Sequence, residues 1–261
     1  MTSSGNPPAG ARFDVIGNRI TVATRASALR DLLAGVRAGQ GGYVCFVNAH
    51  VAVTGREDPR VRAAVNESFM SLPDGRPVFA AGRLQGIEPL EAVPGPDFME
   101  AALRAASHPP LRHFFLGGRQ DVLDRLVAVV GERYPGACVA GALSPPFRAL
   151  SPAEWGEVTA QVRAARPDVV WVGLGAPKQE LFMREHWRAL APAVLLGVGA
   201  AFDFTAGAVG RAPAWMRSAG LEWLFRLVAE PRRLWRRYAY TNTMFLAYLA
   251  ADNLRRRRPP A

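Results

Sequence analysis

The sequence predicts an α/β protein, a parallel sheet with helices on both faces, followed by a basic helical appendage. Three observations predict it. Between residues 26 and 198, short strand-like runs alternate with longer helix-like runs, the pattern of strand–helix–strand units. Pro152 and Pro177 fall at or near the first turn of helix-like runs, where the missing N–H is harmless. Most strand-like runs end in small or polar residues, as they do where such a sheet builds its ligand site. The expected architecture is therefore Rossmann-like.

In chain order, residues 1–11 are Ser-, Gly- and Pro-rich and read as a disordered N-terminus. Phe13 to Thr24 alternates around Gly17-Asn18, a hairpin signal. Strands are expected at Tyr43–Val47, Phe69–Leu72, His113–Leu116, Cys138–Gly141, Val169–Val172 and Val194–Val198. Helices are expected at Ala26–Ala38, Pro59–Glu67, Pro96–Ala106, Asp121–Arg133, Pro152–Ala165 and Pro177–Leu190. No repeat of fixed period occurs. Past Gly207 the pattern turns to helical segments rich in Arg and Trp. The expected division is a catalytic α/β domain over 12–207 and an appendage over 208–261.

Composition narrows the class. A chain of 261 residues, 49% hydrophobic and 9% aromatic, is globular and can bury one large core or one core plus an appendage. Cys45 and Cys138 lie in apolar strand-like runs and read as small core residues of a reduced compartment. No N-terminal segment resembles a signal peptide. The most apolar stretch, Val194 to Gly207, is interrupted by Asp203 and falls short of the roughly 18–20 residues of a spanning helix. The expected location is cytoplasmic, peripheral on the inner membrane face. Residues 211–261 carry eleven arginines against three acidic residues, so the tail holds most of the chain's formal charge of +10. A near-neutral body with a basic tail implies an anionic partner for the tail.

The candidate chemistry gathers at strand ends. Lys178, the single lysine among 32 basic residues, follows the turn Gly173-Leu-Gly175-Ala-Pro177. A strand–turn–helix there points backbone N–H groups and a helix N-terminus at a phosphorylated ligand, while Lys178 also reads as a solvated first-turn residue. Asp74, between Pro73 and Gly75, reads either as a general base or as an Asx-turn. Asp203, between two phenylalanines, needs a partner: an arginine or a substrate. Asn48 and His50 end the first sheet strand, and Gly117-Gly118 another. The histidines at 50, 108, 113 and 186 lack metal-ligand spacing, so no metal is expected. In the tail, Arg232, Arg233, Arg236 and Arg237 share an arc of about 140°. Met244, Phe245, Tyr248 and Leu249 repeat at helical spacing. That layout suits a helix in a membrane interface, or one packed on its own domain with a solvated Arg face.

With these residues in view, the chain resembles the WecG/TagA/CpsF family of bacterial glycosyltransferases, over about Val44 to Tyr238. The matching blocks are Asn48-Ala-His50, Leu72-Pro-Asp-Gly-Arg-Pro77, Gly86 with Pro94-Gly-Pro-Asp97, Phe115-Leu-Gly-Gly118, Val172 to Glu180, Gly197 to Gly207, Arg211-Ala-Pro213, and Gly220 to Leu227 leading to Pro231-Arg-Arg. The resemblance implies a metal-independent, inverting transfer of a hexose or N-acetylhexosamine. The donor would be a UDP-sugar and the acceptor a polyprenyl-diphosphate-linked sugar, in cell-surface polysaccharide or teichoic-acid synthesis. It also implies roles. Asp74 matches the proposed base, Asn48 and Gln179 the polar substrate contacts, and Gly117 and Asp203 the nucleotide-pocket loops. Gly175, Lys178 and Arg211 fall within matching blocks as substrate- or UDP-binding candidates. Arg226, Arg233 and Arg236 match appendage arginines that hold the lipid diphosphate and the leaving UDP. Phe46 departs from the family, where Thr or Ser is frequent, as does His50, where an acid is frequent. Both departures leave room for glucose, glucuronate or another UDP-sugar in place of N-acetylmannosamine.

The reading from another class is a nucleic-acid-binding α/β protein using the Arg-rich tail, and it has no need of a Pro-Asp-Gly strand end. A dinucleotide-dependent oxidoreductase fits less well, since Gly173-x-Gly175 lacks the third glycine of its fingerprint. The expected partners are thus an anionic membrane surface and no nucleic acid. Burial of the tail in a homo-oligomer would compete with docking on lipid.

Overall fold

The structure, a computed structural model, describes residues 10–105, 109–213, 215–216 and 220–256, without the side chains of Arg226, Arg233, Arg255 and Arg256. The expected N-terminal disorder falls on residues that lie, but for 10 and 11, outside the described ones. An antiparallel hairpin, β1 (Arg12–Val15) and β2 (Asn18–Thr21), precedes the main sheet. That sheet contains β3 (Gly42–Val47), β4 (Met70–Pro73), β5 (Arg112–Gly117), β6 (Cys138–Leu143), β7 (Val169–Gly173) and β8 (Val194–Gly197). Its order is β4-β3-β8-β7-β5-β6, with all neighbours parallel.

Strands β3, β7 and β8 follow the two-residue alternation of a strand covered on both faces, whereas the edge strand β6 is only partly covered. Tyr43, Cys45 and Val47 join Val170, Val172 and Leu195 in one core layer. Val44, Phe46, Val169, Trp171, Val194 and Leu196 form the other. The first layer is closed by α2 (Ala49–Glu57), α3 (Pro59–Asn66), α4 (Arg76–Leu84), α7 (Pro152–Ala164) and α8 (Lys178–Leu190). The second is closed by α1 (Arg25–Arg37), α5 (Gly95–Arg104), α6 (Gln120–Arg133) and the short α9 (Ala201–Thr205). Helices following adjacent strands therefore leave to opposite faces along β3, β8, β7 and β5. Such switch points open a crevice at the carboxyl ends of the strands.

Three helices were not legible in the sequence: α2, α4 and the five-residue α9. α2 is rich in β-branched residues and glycine, poor helix formers. It forms because Asn48 caps it, accepting from Val51 N at 3.1 Å, and because Val51, Ala52 and Val53 are buried. α4 starts directly after Gly75, whose φ of 86° lets the chain reverse from β4 into a helix with proline in its first turn. The hairpin turn also differs by one residue. Ile16 and Gly17 occupy it with positive φ, and Asn18 pairs with Val15 in the ladder. The Asn18 side chain turns inward instead and donates to Ala52 O at 2.9 Å, fixing the hairpin to α2.

The C-terminal segment contains α10 (Glu222–Ala229) and α11 (Pro231–Arg256). The stripe Met244, Phe245, Tyr248 and Leu249 does not face outward. Phe245 is 3% exposed within the first core layer, and the other three pack on that layer. Tyr240 and Tyr248 donate to Glu57 at 2.6 and 3.1 Å, and Arg56 meets Asp252 at 3.5 Å, so α11 lies along α2. Apolar side chains left exposed in this segment include Trp215, Trp223, Leu224, Val228 and Trp235, near in sequence to the exposed Arg232, Arg236 and Arg237, and Leu246 and Leu254 farther along α11. Among the described residues no helix is long and apolar enough to cross a membrane.

Candidate active site

The strand ends expected to carry chemistry lie side by side along one edge of the sheet. From β4 to β5 the sequence of ends is Asp74, Asn48, Gly197 with Gln179 above it, the Gly173–Pro177 loop, and Gly117-Gly118. At about 4.8 Å per strand, four steps make an edge of roughly 19 Å.

At the β4 end, Asp74 is half-buried, and its backbone N–H donates to Val47 O at 2.9 Å. Asn48 has given its Oδ1 to the α2 cap, so its Nδ2 faces outward and donates to Asp74 Oδ2 at 3.4 Å. This pair of side chains is the polar centre of that end. Phe46, two residues before Asn48, is 3% exposed and packs on Phe98 with ring centroids 5.4 Å apart. Its ring is part of the floor, and it offers no polar group. His50, the second residue of α2, has its pKa lowered by burial and then by Arg237, against a backbone bond to Ala176 that raises it.

In the middle, α8 opens on Lys178, with Pro177 as its cap rather than its first residue. Gly175 has φ of 77° and its carbonyl accepts from Gln179 N at 3.0 Å. Lys178 is exposed, as a first-turn residue is, whereas Gln179 is 4% exposed and Glu180 fully buried. Gln179 Nε2 donates to Gly197 O at 2.7 Å and to Glu180 Oε1 at 3.0 Å. Burial pushes the Glu180 carboxyl up to about 7, above its ordinary 4.5, and the bond from Gln179 opposes the shift.

That shift makes a stability prediction. Below about pH 4.5 the carboxyl is neutral folded or unfolded. Between there and about pH 7 the folded chain keeps a proton that the unfolded chain releases, so stability falls as pH rises. The full effect is on the order of 3 kcal/mol. Denaturant titrations from pH 5 to 8 should therefore show a shallower decline for Glu180→Gln than for the unsubstituted chain. Equal slopes would mean that the carboxyl is not held neutral.

At the β5 end, Gly117 has φ of 108°, and a Cβ there would sit 2.8 Å from the Gly173 carbonyl carbon. Its role is to let β5 and β7 end in close contact. Gly118 N then donates to Gly173 O at 3.2 Å. Beside it, Asp203 on α9 lines a cleft of about 410 Å³ with Arg119, Asp121, Arg125 and Glu230. The sequence reading missed Arg119 and Arg125. The available signal was Arg119 directly after a glycine pair at a strand end, at the mouth of a helix. Arg119 pairs with Asp121 at 2.8 Å and stays exposed.

The tail arginines divide. Arg211 is held between Asp97 at 2.7 Å and Glu222 at 3.6 Å, and stands over the Phe204 ring. Its guanidinium ties α5, α9 and α10 together. Arg236 is exposed and lies over Trp235. The side chains of Arg226 and Arg233 lie outside the described residues.

Residues 13–259 match the model of the glycosyl transferase WecG/TagA/CpsF family. Over 199 residues, 76% of this chain and 75% of the relative, the sequence is 31% identical to an N-acetylglucosaminyldiphosphoundecaprenol N-acetyl-beta-D-mannosaminyltransferase of Bacillus spizizenii. A protein of the same description from Bacillus subtilis is 44% identical over 80 residues, 31% of either chain. With a match that runs from the first hairpin through α11, the chain belongs to the WecG/TagA/CpsF family of glycosyltransferases.

Proposed function

We propose that this glycosyltransferase moves a hexose or N-acetylhexosamine from a UDP-sugar to a polyprenyl-diphosphate-linked sugar at a membrane surface, with inversion and without a metal. The observation that carries the reading is the layout of the sheet edge. An Asp74–Asn48 pair stands at one end and a cleft with two arginines at the other, with glycine turns between. The relatives' described acceptor, a diphosphoundecaprenol-linked N-acetylglucosamine, supports the acceptor class.

In this reading Asp74 takes the proton of the acceptor hydroxyl as its oxygen attacks the anomeric carbon from the face opposite the nucleotide. The bond from that carbon to the diphosphate oxygen breaks, and UDP leaves with the electron pair. Asn48 orients the carboxylate. The negative charge developing on the diphosphate is met by the N–H groups of the glycine turns in the middle of the edge, which do electrostatically what a metal would otherwise do. Arg119 and Arg125, farther along the edge, hold the rest of the UDP.

The test is transfer from a panel of UDP-sugars to polyprenyl-diphosphate-N-acetylglucosamine, with and without EDTA. Product with unchanged rate in EDTA is expected, and absence of transfer from every donor would remove the reading. Calorimetry adds a second check. Replacing Arg119 and Arg125 together with alanine should weaken UDP binding by about 10- to 100-fold, at 1.5–3 kcal/mol for a charged hydrogen bond. Unchanged UDP affinity would move the nucleotide away from this cleft.

A further inference from the structure

α10 and α11 are separated by Glu230 alone, and Trp223 of α10 meets Tyr238 of α11 edge to face, with ring centroids 6.2 Å apart. Between the two helices lies an open groove of about 350 Å³. Trp223 and Leu227, one turn apart, form its α10 side. Trp235, Tyr238 and Ala239 form its α11 side, with Asn242 and Thr243 one turn farther on. These α11 positions share one helix face, and it is not the face that anchors the helix. Leu234, Thr241 and Phe245 do that, all of them buried. The groove face instead leaves Trp235 half exposed. Among the described residues no charged side chain lines the groove, yet two arginines flank it. Arg236 stands over the Trp235 ring at 5.4 Å, and Arg237 over the Tyr238 ring at 5.5 Å. Arg237 also lies near enough to His50, two residues from Asn48, to lower its pKa. The cationic flank therefore adjoins the Asp74–Asn48 end of the sheet edge. From Trp235 to Thr243 the groove follows about 12 Å of helix. An apolar channel of that length with cations at one side matches a hydrocarbon chain that carries an anionic head.

We propose that the groove between α10 and α11 takes the isoprene units of the acceptor that lie next to its diphosphate, with the diphosphate beside Arg236 and Arg237. This rests on the glycosyltransferase reading and adds to it the place of the chain. The acceptor's sugar has to reach Asp74, so its diphosphate and the carbons behind it must leave the membrane surface. Carbons drawn out of a bilayer lose their apolar surroundings unless the protein supplies others. The half-exposed Trp223 and Trp235 supply them, and are themselves removed from water by the chain. A phospholipid has no such need, because its headgroup can stay in the membrane plane. A groove of this volume holds only the first part of a polyprenyl chain, and the rest stays in the bilayer.

The experiment compares two acceptors in buffer without vesicles, farnesyl-diphosphate-N-acetylglucosamine and methyl-diphosphate-N-acetylglucosamine. kcat and KM are measured for the unsubstituted enzyme, for Ala239→Phe, which fills the groove from an exposed position, and for Ala250→Phe, on the same helix beyond it. Calorimetry with farnesyl diphosphate and inorganic diphosphate repeats the comparison without turnover. The farnesyl acceptor should have a KM lower by on the order of 30-fold at similar kcat, what two to three buried carbons supply. Ala239→Phe should remove most of that preference, and Ala250→Phe should keep it. Trp235→Ala, also at an exposed position, should reduce it by at least about threefold and serves if Ala239→Phe does not fold. Equal KM values for the two acceptors overturn the proposal, as does a farnesyl preference retained in folded Ala239→Phe. In the latter case, loss of binding to phosphatidylglycerol vesicles would give the groove to the bilayer, and dissociation of a dimer would give it to a second copy of the chain. No transfer to either acceptor from any UDP-sugar overturns the glycosyltransferase reading, while the calorimetric comparison still decides whether the groove takes a prenyl chain.

Discussion

Asp74→Asn lowers sugar transfer by about 10²- to 10⁴-fold, the range of a lost general base, while folding and UDP affinity stay unchanged. The substitution is close to isosteric, and the groups around it explain why the fold should survive. Asp74 is held by its own backbone N–H on Val47 O, and the turn that follows depends on Gly75 rather than on the carboxylate. An asparagine oxygen can still accept from Asn48 Nδ2, so that contact persists while basicity is lost. UDP affinity should be insensitive because the arginine-lined cleft lies about four strands away along the edge. Single-turnover transfer together with UDP calorimetry checks both halves. A rate within threefold of the unsubstituted enzyme would remove Asp74 as the base and return it to a turn-forming role.

The second large effect concerns the membrane. Replacing Arg232, Arg236 and Arg237 together with glutamine should weaken binding to vesicles containing phosphatidylglycerol by about 10²-fold. The estimate follows from about 1 kcal/mol per basic residue near an anionic surface. Added salt should shrink the difference, since the interaction is screened. These three side chains are exposed next to Trp235, which is 52% exposed, so they can meet a surface without rearrangement. Removal of residues 211–261 as a block would be a poor test. It would strip Leu234 and Phe245 from buried positions, take Arg211 from Asp97, and uncover α2. Vesicle cosedimentation of the triple variant, with a nucleic-acid gel shift in parallel, decides the partner. Unchanged vesicle binding would take these arginines out of the membrane contact, and a shift of DNA or RNA abolished by the substitutions would favour nucleic acid.

Where the sequence reading of the fold stopped, the cause is identifiable. The six sheet strands stood out because a strand covered on both faces is a continuous apolar run, and Val169–Val172 and Val194–Val198 are such runs. α2 did not, because its β-branched residues and glycine are poor helix formers and it is held by the Asn48 cap; α4 did not, because Pro77 and Gly82 interrupt a nine-residue run that packs on the hairpin. The stripe in α11 was legible as a stripe, but not as to what it faces. An apolar helix face looks the same whether it meets lipid or its own core.

The sequence by itself determined the alternating elements, the chemistry gathered at strand ends, and the blocks that mark the glycosyltransferase family. All of these are set by local patterns of two or 3.6 residues and by short contiguous motifs. Only the tertiary structure decided that α11 turns Phe245 inward, that Arg211 is spent on Asp97 and Glu222, and that Arg119 and Arg125 gather beside Asp203. It alone decided that the Gln179 amide is buried against the Gly197 carbonyl. Each depends on a partner distant in sequence, chosen by burial and hydrogen-bond geometry, and no local periodicity carries that choice.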